Sequence, residues 1–249
     1  FDDYQKFYES KRLTDYSLVE VKALRLDRLP RWLNRVDEDA RVLDAGCAEG
    51  YLLSLLHESG FHNLSGVDLS LQLVDVARHR LPESVSITVS DVRDYLTQSP
   101  DASFDVILFH HVLEHIPREF TIGLLREFRR CLSPGGFLSV KVPNAISLSA
   151  GYACFGDFTH VVHFNEFSLL QVAEAAGFTR EHCEFIFFPP ELFWSWSHAG
   201  RAGLRVLNRL RWHLNNQAHR WLFRLTDLHP MPQVFGNEIE LLAVKTSED

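Results

Sequence analysis

Residues 42–50, Val-Leu-Asp-Ala-Gly-Cys-Ala-Glu-Gly, read as the end of a buried strand, a tight glycine turn and the first turn of a helix. Glycine has no side chain, so backbone at such a turn can come close to a bound ligand. Further on, Leu64-Ser65-Gly66-Val67-Asp68 reads as a second strand ending in an acid. An acid at that place in a doubly wound sheet accepts hydrogen bonds from ribose hydroxyls. The two segments together imply an adenosine-containing ligand.

The pattern continues as a β-α alternation. Strands are expected at 41–47, 64–69, 86–90, 104–110, 137–142, 180–188 and 238–245. Helices are expected at 51–59, 72–81, 120–131 and 167–176, the last stopped by Gly177. Ser133-Pro134-Gly135-Gly136 is expected to be a turn. Tyr4, Phe7, Tyr8, Leu18, Val21, Leu24, Leu26 and Leu29 fall near helical spacing, so residues 4–35 are expected to be helical. Alternating strands and helices imply a mostly parallel α/β sheet with both faces covered. Ligands then bind beyond the carboxyl ends of the strands, which gathers Asp44 to Gly50, Asp68, Asp91 and His110 around one crevice. The organisation expected is an N-terminal helical segment (1–37), a core (38–188 and 237–249) and an inserted segment (189–236).

The glycine turn discriminates between ligands. A dinucleotide fold wants G-x-G-x-x-G, whereas this chain has Asp44-x-Gly46-x-x-x-Gly50. An acid there repels a diphosphate but suits a cation, such as the amino and sulfonium groups of S-adenosylmethionine. Here the chain resembles the class I S-adenosylmethionine-dependent methyltransferases over residues 38–190 and 237–245. Their first motif is commonly D-x-G-C-G-x-G; Ala48 stands at the middle glycine, a mild replacement where φ is negative. The resemblance implies a Rossmann-like sheet of seven strands, order 3-2-1-4-5-7-6, with strand 7 antiparallel. It also implies cofactor contacts from Asp44, Ala45, Gly46, Cys47, Gly50, Asp68, Leu69, Phe109 and His110. Asp91 would meet the adenine amino group and the Val92 N–H the ring; the other reading of Asp91 is a helix cap.

Phe104-Asp105 followed by Val112-Leu113-Glu114-His115 resembles the fourth-strand motif of small-molecule methyltransferases. His111-x-x-Glu114-His115 also matches the H-x-x-E-H of inverted zinc proteases, but that chemistry needs a continuous helix. A strand running into the motif and Pro117 just after it argue against a protease. Some ubiquinone-type O-methyltransferases bind a divalent ion through E-x-x-E-H at this place. By that resemblance His111, Glu114 and His115 would hold an ion, zinc-like because imidazole replaces a carboxylate. The alternative is that Glu114 and His115 only hydrogen-bond the loop.

Gly156-Asp157-Phe158-Thr159-His160-Val161-Val162-His163-Phe164 resembles a D-x-x-H-x-x-x-F segment of methyltransferases that act on bacterial polysaccharides and natural-product sugars. An alcohol is a weak nucleophile, so a base that removes its proton assists methylation. Histidine suits that role near neutral pH. His160 or His163 is the expected base, with Asp157 orienting either and His111 nearby; the other reading is that both histidines pin the loop to the core.

Composition excludes several classes. No run of eighteen apolar residues spans a membrane, and Phe1-Asp2-Asp3-Tyr4 is not a secretory signal pattern. Cys47, Cys131, Cys154 and Cys183 form no C-x-x-C pair, which fits a reducing cytoplasm. The net charge of −8 argues against nucleic acid as a partner. Residues 191–235, however, carry six arginines against two acids. Leu207, Leu210, Leu214, Ala218, Trp221, Leu225 and Leu228 mark one helix face there, with Arg205, Arg209, Asn216, Arg220 and Arg224 largely opposite. Three readings compete for 201–228: a lid over the acceptor, a peripheral helix meeting the inner membrane or a lipid-linked substrate, and a packed helix at a homodimer interface.

The expected function is O-methylation of a sugar hydroxyl, in a bacterial glycan or glycosylated metabolite, with a histidine base. A quinone or phenolic acceptor is the enzymatic alternative. A non-catalytic cofactor-binding scaffold is the alternative of another class.

Overall fold

The computed structural model describes residues 33, 35–147, 150–187, 201–226 and 236–246. The helix expected at 4–35 therefore lies outside the described residues except at its end, as does Leu228. Seven strands form one sheet in the order β3-β2-β1-β4-β5-β7-β6. They are β1 (Val42–Ala45), β2 (Leu64–Asp68), β3 (Ser86–Val89), β4 (Phe104–His110), β5 (Leu132–Pro143), β6 (Cys183–Phe187) and β7 (Glu238–Val244). β1 pairs parallel with β2 and β4, and β2 with β3, while β6 and β7 pair antiparallel. This is the expected topology. The helices are α1 (Tyr51–Glu58), α2 (Leu71–Arg80), α3 (Val92–Gln98), α4 (Arg118–Cys131), α5 (Ala150–Phe155), α6 (Glu166–Ala175) and α7 (Arg201–Leu225).

Continuous apolar runs explain the central strands. Val42, Leu43 and Ala45 of β1, and Val106 to Phe109 of β4, are all buried, as strands covered on both faces must be. Local chemistry sets the helix ends. Ser70 caps α2 by accepting from the Leu73 N–H. Asn165 caps α6 in a reciprocal capping box with Ser168. At the other end of α6, Gly177 adopts φ 103°, its N–H bonds the Glu174 carbonyl and the Phe178 N–H bonds that of Ala173. That pair of bonds is a Schellman stop, and only glycine takes its left-handed residue without strain.

Ser133 to Gly136 is not a free turn: it belongs to β5. The Gly135 N–H donates to the Lys245 carbonyl and the Lys245 N–H to that of Gly136. A Cβ on Gly136 would lie 2.7 Å from the Asp105 carbonyl oxygen. The glycines thus read locally as a turn, but they serve close pairing with strands distant in sequence. The predicted strand at 180–188 likewise begins with a short 3-10 turn, Arg180–His182, before β6.

The chain divides into two compact units. One comprises Phe1–Phe109, Glu127–Leu138 and Lys245–Asp249; the other comprises His110–Arg126 and Ser139–Val244. In the first, α1 and α2 pack on β2; in the second, α6 packs on β7. Within the second unit, α7 bears on one of the three readings of 201–228, that of a helix packed by its apolar face. Among the described residues, Leu210, Leu214, Trp221 (61%) and Leu225 (62%) are exposed, while His219 is buried. A helix packed by its leucine face would show the reverse. No helix among the described residues is long and apolar enough to cross a membrane.

Candidate active site

The glycine turn lies in the first unit and is built largely from backbone. The Gly46 and Cys47 N–H groups both donate to the Val67 carbonyl, at 2.7 and 3.1 Å, which ties the turn to β2. Gly46 and Gly50 adopt φ 82° and 70°, the left-handed region where glycine alone is unstrained. A Cβ on Gly50 would lie 2.6 Å from Leu81 Cδ1, and Gly66 leaves no room beside Leu53, Cys47 and Ile87. Arg80, at the end of α2, bonds the Glu49 carbonyl and pairs with its carboxylate at 3.3 Å. The Gly66 and Arg80 contributions carry no signal in the motif itself.

Asp68 does more than end β2. One of its oxygens accepts from the Ala48 N–H and the other from the Ser70 N–H, both at 2.9 Å. Ala48 itself adopts φ 45°. Alanine is therefore not in the negative-φ conformation that would make it a mild replacement; it holds the left-handed turn that a glycine would hold freely. For an L-residue this costs about 1–2 kcal/mol, partly offset because alanine is stiffer than glycine in the unfolded chain. Ala48→Gly is expected to raise stability by roughly 0.5–1 kcal/mol in chemical denaturation. A loss of stability would show that the turn is unstrained.

Asp44 is buried. Burial first, and then the nearby Asp68, push its carboxyl up to about 7. A carboxylate paired with another acid in the interior is unfavourable alone and favourable beside a cation. Burial and the same two acids push the Cys47 thiol up, so it is a packed side chain and no nucleophile. Asp91 caps α3 through the Arg93 N–H and grips the Arg93 guanidinium with both oxygens, so the capping reading is realised. Val92 opens that helix and Leu69 is exposed just past β2. Ala45 and Phe109 are fully buried, and Phe109 stacks on Phe128 at 4.8 Å. The Phe109 side chain, expected to line the cofactor, is core packing.

The second unit gathers the histidines. His110 Nε2 lies 2.8 Å from Ser139 Oγ, whose hydroxyl donates to the fully buried Glu240 at 2.6 Å. Burial, and then the Lys141 charge, lower His110 to about 3, so it is neutral. His111 is the opposite case. Burial opposes its charge, but Glu114 at 3.6 Å and Glu238 at 3.4 Å outweigh it and raise it to about 9. Both carboxylates thus favour the protonated imidazole, the opposite of what a base needs. Lys141 completes the group, 2.5 Å from Glu238. Lys141 and Glu238 lie on β5 and β7, so nothing near the V-L-E-H motif announced them. His111 also adopts φ 56°, a left-handed conformation held by its N–H bond to the Lys141 carbonyl.

The loop carrying Asp157 to His163 is pinned to the Leu113–His115 turn. The Glu114 carbonyl accepts from the Val161 and Val162 N–H groups at 2.8 and 3.1 Å. Asp157 accepts from the Thr159 N–H and hydroxyl, not from either histidine ring. It therefore orients Thr159, whose carbonyl and hydroxyl meet His115 Nδ1 at 3.2 and 3.0 Å. His160 Nδ1 donates to the Cys154 carbonyl, and its ring meets that of His115 edge-on at 4.7 Å. His163 lies against Phe155 at 4.3 Å, and burial, then His160 and Arg118, lower its pKa. Tyr152 (84% exposed) and Phe158 (98% exposed) stand on the same stretch.

A seven-stranded sheet of this order, with an acidic glycine turn after β1 and acids ending β2 and following β3, defines a class I methyltransferase domain. A family profile described as "Methyltransferase domain" matches residues 18–182. The chain belongs to that family, in its class I, S-adenosylmethionine-dependent branch. A probable S-adenosylmethionine-dependent methyltransferase of Mycolicibacterium smegmatis is 33% identical over 140 residues, covering 56% of this chain and 52% of that protein. A ubiquinone biosynthesis O-methyltransferase of Xanthomonas oryzae pv. oryzae is 38% identical over 117 residues, covering 44% of this chain and 47% of that protein. The chain thus spans about half the length of the curated relatives it matches. Among solved structures, a SAM-dependent methyltransferase from Archaeoglobus fulgidus superposes with a TM-score of 0.66 at 24% identity, over 97% of this chain and all of that one.

Proposed function

We propose that the chain transfers the methyl group of S-adenosylmethionine to a hydroxyl oxygen of a small acceptor, a sugar hydroxyl first. Asp44, Gly46, Gly50 and Asp68 hold the cofactor, with Asp91 and Val92 at its adenine end. The sulfonium already makes the methyl group electrophilic. The protein's share is alignment, exclusion of water and removal of the hydroxyl proton. The acceptor oxygen forms its bond to the methyl carbon as the carbon–sulfur bond breaks. S-adenosylhomocysteine leaves, and the hydroxyl proton passes to a base.

His163 is the base we assign. The observation that carries this choice is its lowered pKa beside exposed aromatic surface, which keeps the imidazole neutral and able to accept a proton. His111 is held charged by Glu114 and Glu238, and the His110 Nε2 is tied to Ser139. Phe158, Tyr152 and Phe155 offer flat apolar faces of the kind that stack on sugars. The same faces suit an aromatic ring, and the name of the Xanthomonas relative favours a phenolic acceptor as the second reading.

S-adenosylhomocysteine release, followed with sugar and catechol acceptors, tests the proposal. Turnover with sugars supports it, turnover with catechols alone selects the second reading, and binding without turnover makes the chain a scaffold. His163→Ala is expected to lower kcat by roughly 100-fold or more, with cofactor affinity unchanged. Because the base must be neutral, kcat should rise with pH through a value below 6.5 and then level off. An unchanged kcat would remove His163 from the reaction.

A further inference from the structure

The ion expected from the V-L-E-H resemblance would use His111, Glu114 and His115. The geometry selects a different set. We infer that Glu114, His115 and His160 form a binding site for one first-row divalent ion of zinc type. Their candidate ligand atoms all lie within 4.8 Å of one another. Metal–ligand bonds of about 2.1 Å place tetrahedral ligands about 3.4 Å apart, so the three groups close on an ion by movements under about 1 Å each.

Two further observations point to an ion. Glu114 is 2% exposed, and its Oε2 has no hydrogen-bond partner among the described residues. A buried carboxylate oxygen without a partner is costly unless something cationic meets it. Second, both imidazoles are set in one tautomer. His160 Nδ1 meets the Cys154 carbonyl and His115 Nδ1 meets that of Thr159, and a carbonyl can only accept. Each Nδ1 therefore carries its ring's proton and each Nε2 the lone pair a metal needs. Metal-bound histidines are oriented in this way by backbone carbonyls. Asp157 contributes as a positioning residue: it holds Thr159, which holds His115.

His111 is not part of this cluster: its Nε2 lies 3.4 Å from Glu238, and only Glu114, His115 and His160 bring their ligand atoms together. Two imidazoles and one carboxylate favour zinc, iron(II), cobalt or manganese over magnesium and calcium, which prefer oxygen ligands. Three protein ligands leave coordination positions open, as catalytic sites do and structural zinc sites do not.

The test is titration of the chelator-treated full chain with cobalt(II), followed by visible absorption, and with zinc(II), followed by calorimetry. S-adenosylhomocysteine binding is measured on every sample to report an intact fold. One ion per chain is expected. Glu114→Gln and His160→Asn should each weaken it at least tenfold while S-adenosylhomocysteine affinity is kept, and His111→Asn should leave it bound. No stoichiometric ion, or loss of the ion in His111→Asn with retention in His160→Asn, would overturn the assignment. The readout is independent of turnover, so it stands or falls apart from the acceptor and the base.

Discussion

Asp44→Asn is expected to weaken S-adenosylhomocysteine binding by about 100-fold while making the ligand-free protein more stable at pH 8. Both effects follow from a carboxyl held near 7 by burial and by Asp68. Its pKa is raised on folding from an ordinary value of 3.8. The folded state thus holds the proton more tightly than the unfolded one. The stability tied to this group is complete below about 3.8 and lost as pH rises through about 7. With each pKa unit worth about 1.4 kcal/mol, asparagine should recover roughly 2–4 kcal/mol at pH 8, and less toward pH 5. The ligand's ammonium group relieves the same strain, because it favours the ionised carboxylate. Affinity should therefore rise roughly tenfold between pH 5.5 and 7 in the native protein and stay flat in the variant. Calorimetry across that range, with thermal unfolding, checks both. An asparagine variant that binds normally would show that Asp44 does not face the cofactor's cationic end.

Asp68→Ala should be damaging in a different way. Its carboxylate accepts from the Ala48 and Ser70 N–H groups, so removal frees the left-handed turn and the cap region of α2. Each hydrogen bond to a charged group contributes about 1.5–3 kcal/mol when buried and less where solvent reaches it. A stability loss of roughly 1–2 kcal/mol is expected. The loss of cofactor affinity should be larger, about 100-fold or more, because the ribose partner and the shape of the turn go together. Denaturation and S-adenosylhomocysteine titration on the same variant separate the two. Unfolding with normal affinity would make Asp68 a structural residue alone.

The outcome for the inserted segment also has a physical reading. The leucine periodicity marks a real helix, α7, but periodicity says only that one face is apolar. Which face turns inward depends on what the rest of the unit offers. Here His219 is buried while Leu210, Leu214, Trp221 and Leu225 are exposed.

The strands and the glycine turn were legible because they are local. A run of apolar residues, glycines at fixed offsets and acids at strand ends follow from backbone geometry within a few residues. That is why β1, β2, β4, the glycine turn, Asp44 and Asp68 stand where the sequence put them. The seven-strand order came from resemblance, and the pairing bears it out. Other properties rest on partners far apart in the chain. The sign of φ at Ala48 depends on Asp68, twenty residues on. The charge on His111 depends on Glu238, and the tautomer of His115 on Thr159. The sequence by itself determined which chemical groups are present and the ends of the strands that carry them. Tertiary structure decided their charge, their tautomer and their neighbours, because electrostatic and hydrogen-bond energies act over a few ångströms of space and take no account of distance along the chain.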